Sequence, residues 1–127
     1  GAQPGERLGN LGVVVEVTLR RPAAMEALAA IAKSVPKALA VAGTVVTPAQ
    51  AQQVKDAGAQ AVVSPGFSES IDEALRKAGL PWLPGVATAS DCMRAVAAGR
   101  TTAKFFPAEQ AGGPPALKAL SGPFPQM

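Results

Sequence analysis

Histidine and tyrosine are absent, and cysteine and tryptophan occur once each. Each shortage excludes some chemistry. Without an imidazole there is no Ser-His-Asp hydrolysis, and no histidine base is present to activate a thiol. A lone cysteine cannot close an internal disulfide, and with no histidine beside it a zinc site is not expected. Cys92 therefore reads as a small core residue on a helix. Charged residues make up only 17% of the sequence and aromatic ones 4%, so little of the chain is solvated polar surface. The net charge of +3 comes from scattered lysines and arginines. No basic stretch interleaved with aromatics marks a nucleic-acid partner. No apolar run approaches the roughly 20 residues of a membrane span. The opening residues lack the basic-then-apolar order of a signal peptide. The expected setting is reducing and cytoplasmic, with no membrane partner.

What is present is a set of small aliphatic side chains. Hydrophobic residues form 48% of the 127, enough for one domain with a core built from Ala, Val and Leu. Five short apolar runs read as strands, at 13–19, 38–46, 60–64, 81–84 and 101–106. Alanine-rich segments with helical spacing lie between them, at 22–35, 48–57, 68–78 and 89–98, with a shorter one at 114–120. Their ends carry the expected signals. Thr47 and Ser68 stand as N-caps, Arg76 and Lys77 close a last turn, and Gly58, Gly79 and Gly99 follow the helices. Strand and helix alternate, and the strands are continuously apolar, which indicates a parallel sheet covered by helices. Either a doubly wound sheet or a (β/α)₈ barrel fits. No glycine-rich dinucleotide fingerprint or Walker motif follows the first strand.

Polar residues gather at the strand ends, where both architectures place their sites. Glu16 sits among valines. Alternation puts Glu16, Thr18 and Arg20 on one face and Val15, Val17 and Leu19 on the other. Lys104 sits in an apolar run beside Phe105 and Phe106, which reads as a buried strand. A lysine there must find a partner, line a cleft or lose its proton, and a neutral lysine can form a Schiff base with a carbonyl compound. A structural Glu16–Lys104 ion pair is the alternative. Arg20 can clamp a carboxylate or simply lie at the surface. Thr44, after Gly43, can receive an anion or act as a turn residue. Pro65 and Phe106 can wall a pocket or serve packing alone.

The segments 15–20, 42–45, 64–66, 83–88 and 104–109 together resemble the successive motifs of the KDPG/KHG aldolases, in order and at natural spacing from about Leu11 to Phe124. The resemblance implies a homotrimeric (β/α)₈ barrel that needs no metal or other cofactor and acts on a small 2-keto acid. It implies a class I aldolase that cleaves 2-keto-3-deoxy-6-phosphogluconate, and often 4-hydroxy-2-ketoglutarate. In that reading Lys104 is the Schiff-base lysine and Glu16 the general acid/base. Arg20 and Thr44 hold the pyruvate-type carboxylate, and Pro65 and Phe106 line the pocket. Val41 stands where the family usually has glycine, and Asp91-Cys92 replaces a glutamate-and-apolar pair.

Barrels of this kind need roughly 200 residues or more. Read against the family, the chain lacks a first strand and helix and stops before the seventh and eighth strands. Residues 1–10 read as a loop or an unrelated leader. The expectation is a single partial barrel domain of about five parallel βα units. Two alternatives stand beside the aldolase: an inactive, self-associating half-barrel, and a phosphate-binding barrel relative of other chemistry.

Overall fold

The computed structural model describes residues 13–127. The segment 1–10, read above as loop or leader, lies outside the described residues. Strands and helices alternate: β1 (Val14–Thr18), α1 (Ala24–Ser34), β2 (Leu39–Gly43), α2 (Pro48–Asp56), β3 (Ala61–Val63), α3 (Glu69–Ala78), β4 (Trp82–Leu83), β5 (Gly85–Val86), α4 (Ala89–Ala97), β6 (Lys104–Phe105) and α5 (Gly113–Ser121). Every strand pairing is parallel.

The sheet runs β1-β2-β3-β4, and β5 pairs separately with β6. Pro84 causes the break. It has no N–H to give to the ladder, so the fourth expected strand splits around it. Its carbonyl still accepts from Lys104 N at 2.9 Å, and Gly85 N donates to Gly66 O at 3.3 Å. The segment 82–86 therefore passes the sheet from β3 to β6. Five strand positions follow one another in chain order. A doubly wound sheet reverses its order at a switch point, whereas a barrel does not. The chain builds consecutive parallel βα units of the barrel type.

One face of these strands carries the helices. Ala40, Ala42, Val62, Trp82 and Val86 pack in a single core with Leu28 of α1, Val54 of α2, Leu75 of α3 and Ala95 of α4. Capping sets where the helices start. Thr47 accepts from Gln50 N while Gln50 reaches back to the N-cap, and Thr88 and Asp91 repeat that box at α4. The second departure from the family pattern thus has a local role: Asp91 caps α4, and Cys92 is a buried core residue.

Two buried polar groups hold the layers together. Ser64 Oγ donates to Val45 O at 2.6 Å and accepts from Trp82 Nε1 at 2.9 Å. Ser64→Ala leaves the buried indole N–H without an acceptor. The expected cost is about 1–3 kcal/mol, read as a lower urea midpoint with an unchanged m value. Asp72 accepts from Arg76 Nε at 3.0 Å and Arg100 Nε at 2.7 Å, which ties α3 to the segment after α4. Arg100 also lies over the Trp82 ring, 5.2 Å from its centroid.

Burial pushes the Asp72 carboxyl up, but the two guanidiniums outweigh it and hold it below its ordinary value. A depressed carboxylate stabilises the fold above the unfolded pKa of about 3.9, and the stabilisation is lost as pH falls through the folded value. The stability gap between wild type and Asp72→Asn is therefore expected to be constant at neutral pH and to shrink below about pH 4. Denaturation at a series of pH values checks this.

Candidate active site

The candidate groups form two clusters at the strand ends, with Glu16 and Lys104 on the helix-free face and Arg20 beside Ala24 and Ala27 of α1. The first lies where β1 meets β2. On β1, Val15 and Val17 are half-buried toward the helices while Glu16 and Thr18 are exposed on the opposite side. The register sets Glu16 beside Val41 and Thr18 beside Gly43. The Glu16 side chain lies along β2 over Gly43. A Cβ on Gly43 would overlap Glu16 Oε1 and come within 2.9 Å of Cδ and 3.0 Å of Cγ.

Leu19 N donates to Gly43 O at 2.9 Å, so the two strands end together. Arg20 and Thr44 are the next residues along each. Arg20 is exposed and makes no ion pair with a carboxylate of the described residues. Its guanidinium is free to meet an anion. Thr44 is half-buried with φ of 60°, the only non-glycine residue with positive φ among those described. For a β-branched side chain this conformation costs about 1–3 kcal/mol and persists only where the surroundings impose it, as at ligand sites.

The second cluster lies where β5 meets β6. Gly85 pairs with Lys104 and Val86 with Phe105. Alternation sends Phe105 to the helix side, where it lines an apolar cavity of about 290 Å³ with Val86, Cys92, Leu120 and Phe124. Lys104 takes the other side. Its Nζ lies 4.7 Å from the centroid of the Phe106 ring, a cation–π distance. Pro65 reaches the same place from the end of β3: its carbonyl lies so close to Gly85 that a Cβ there would overlap it.

The expectation of a lysine buried in its strand against Phe105 and Phe106 is corrected here. Period-two alternation separates Phe105 from Lys104. The strand is two residues long, Thr101 and Thr102 before it are exposed, and β6 is an edge strand of the described sheet, so Lys104 is half-buried.

No hydrogen bond or ion pair joins the two clusters among the described residues. The structural Glu16–Lys104 ion pair left open by the sequence is not formed there. Their strands stand four positions apart in the order β1, β2, β3, β4/β5, β6. In an eight-stranded barrel four positions is half the circumference. Inward side chains on such strands face each other across an interior just wide enough for side chains or a small ligand.

Two other titratable groups near these strand ends, Cys92 and Glu69, serve the fold. Burial and then Asp91 push the Cys92 thiol up, away from a reactive thiolate. Glu69 is held down at about 2, first by its hydrogen bond from Arg94. The clearance roles of Gly43 and Gly85 were not read from the sequence. The available signal was a glycine within an apolar strand, which marks a close approach.

The model of the family described as KDPG and KHG aldolase matches residues 5–127. The chain belongs to this family. It is 46% identical over 114 residues to the KHG/KDPG aldolase of Escherichia coli K12, covering 90% of this chain and 54% of that one. It is 45% identical over 116 residues to the 2-dehydro-3-deoxy-phosphogluconate aldolase of Zymomonas mobilis, again covering 90% and 54%. The chain thus spans about half the length of the curated relatives it matches.

Among solved structures, the fold is similar to a KDPG aldolase from Legionella pneumophila with pyruvate captured as a covalent carbinolamine intermediate. The TM-score is 0.86 at 45% identity, covering 97% of this chain and 60% of that one. A chain of a protein cage designed by fusing symmetric oligomeric domains is similar at 32% identity with a TM-score of 0.77, covering 96% of this chain and 48% of that one.

Proposed function

We propose that this protein is a class I aldolase that cleaves 2-keto-3-deoxy-6-phosphogluconate to pyruvate and glyceraldehyde 3-phosphate, and that it also accepts 4-hydroxy-2-ketoglutarate. The observation that carries this reading is Lys104 on the helix-free face with no carboxylate partner among the described residues, on a strand half a barrel turn from that of Glu16, in a chain of this family.

The chemistry follows from those side chains. Neutral Lys104 Nζ adds to the C2 ketone to give a carbinolamine, and loss of water gives the iminium. Glu16 takes the C4 hydroxyl proton as the C3–C4 bond breaks, and the bonding electrons flow into the iminium to leave an enamine. The aldehyde departs. The proton returns through Glu16 and water to C3, and hydrolysis frees pyruvate and the amine. Acid/base help of this sort contributes about 10²–10⁴ in rate. The Arg20 guanidinium and the Thr44 hydroxyl hold the substrate carboxylate. Pro65 and Phe106 wall the reacting carbons.

The same reading places the protein in the cytoplasm and in Entner–Doudoroff carbohydrate breakdown. No helix among the described residues is long and apolar enough to cross a membrane. We further infer self-association, as a trimer by likeness to the family. The outer edges of β1 and β6 carry no partner strand among the described residues, and unpaired edges favour assembly.

Pyruvate release from each keto acid, followed with a coupled dehydrogenase, tests the activity. Turnover of either substrate with no added metal is expected. No pyruvate from either would refute the aldolase reading and favour a half-barrel that only assembles. Light scattering on the eluted protein tests the assembly, and a monomer would refute it.

A further inference from the structure

We propose that Gly43 is a positioning residue for the Glu16 carboxyl, which it admits to the active face by having no side chain. The inference rests on the aldolase reading and adds to it a residue with no reacting group.

Glycine is not required at position 43 by the backbone. Gly58, Gly79, Gly99, Gly112 and Gly113 have positive φ, and Gly43 does not. It is the last residue of a regular parallel strand, a position that any residue can adopt. What is special is the space above it. The three atoms nearest a Cβ built on Gly43 are Oε1, Cδ and Cγ of Glu16. The outer half of the Glu16 side chain thus occupies the volume a side chain at 43 would fill.

Gly85 supplies the contrast. A Cβ there meets the Pro65 carbonyl and the Gly66 amide nitrogen, all backbone. Backbone cannot turn aside, so Gly85 is needed by the fold. The atoms over Gly43 belong to the far end of a flexible, exposed side chain, which can swing away. Gly43→Ala is therefore expected to leave the fold intact and move the carboxyl. A displacement on the order of 1 Å in a catalytic group lowers the rate by about 10².

The test is a double-mutant cycle on the full-length protein with pyruvate as the probe, reading deuterium exchange at its methyl group. That exchange needs the Lys104 iminium and a base at C3. Borohydride labelling reads iminium formation separately. G43A is expected to retain its thermal midpoint and borohydride labelling while exchange falls about 10–100-fold. In the E16Q background the same substitution is expected to change exchange less than twofold, because no carboxylate base remains to be displaced.

A G43A loss less than fivefold larger in the wild-type background than in E16Q would overturn the proposal, since Gly43 would then act independently of Glu16. Should G43A fail to fold, G43A/E16A removes the colliding side chain and should recover the fold. No recovery would also overturn the proposal. Wild type that takes no label with pyruvate refutes the aldolase reading itself, and this inference falls with it. A labelled wild type with an additive cycle refutes only the role of Gly43.

Discussion

Lys104→Arg eliminates covalent capture of pyruvate and lowers kcat/KM by at least about 10⁴-fold, given that loss of a catalytic nucleophile costs on the order of 10⁴–10⁶. The substitution separates charge from nucleophilicity. Arginine keeps a cation that can lie against Phe106, but a guanidinium does not deprotonate in proteins and cannot add to a ketone. Lys104→Met removes the cation as well and gives the same catalytic loss. Neither variant should unfold the protein. Lys104 is half-buried and makes no ion pair among the described residues, and its visible contact is the Phe106 ring. A stability change within about 0.5–1 kcal/mol is expected for both. A steady-state assay and a denaturation curve on the same samples distinguish lost chemistry from lost structure.

Glu16→Gln lowers kcat by about 10²–10⁴-fold while the lysine still takes the pyruvyl label. Glutamine has the same length and shape, so it lies over Gly43 as glutamate does. What is lost is a group able to accept the C4 hydroxyl proton and return one to C3. The effect belongs on kcat and not on KM, because the carboxylate clamp of Arg20 and Thr44 is untouched. A rise in KM with kcat unchanged would assign Glu16 to binding and remove it from the proton path.

The alternation of strand and helix and the helix caps were legible in the sequence, because each depends on neighbours a few residues apart, and that alternation with continuously apolar strands implied a parallel sheet. The five apolar runs mark the five strand positions, and Thr47 and Ser68 start helices as their residue types predict. The strand extents were less so. The run at 38–46 becomes the strand Leu39–Gly43 because the chain turns at Thr44 with positive φ, which a β-branched residue gives no reason to expect. Pro84 divides the fourth strand, as its missing donor could have suggested.

Long-range side-chain pairings were hidden. Asp72 reads locally as an acidic residue in the first turn of α3, yet its partner Arg100 lies 28 residues away. Ser64 reads as a polar group at a strand end, where a site belongs. In the fold it faces the core and holds Trp82. At the candidate site, the residue types and their faces were readable from period-two alternation. The environment of Lys104 was not, since hydrophobic neighbours in sequence project to opposite sides of a strand.

The central claim is that Lys104 is the amine that bonds to the substrate. Its most direct test is borohydride reduction of the full-length protein in the presence of pyruvate, followed by proteolysis and mass spectrometry of the peptides. The predicted result is one reduced pyruvyl group per chain, on the peptide that contains Lys104, absent when either reagent is omitted. A label on another lysine such as Lys55 or Lys118, or no label at all from a folded protein, would contradict it.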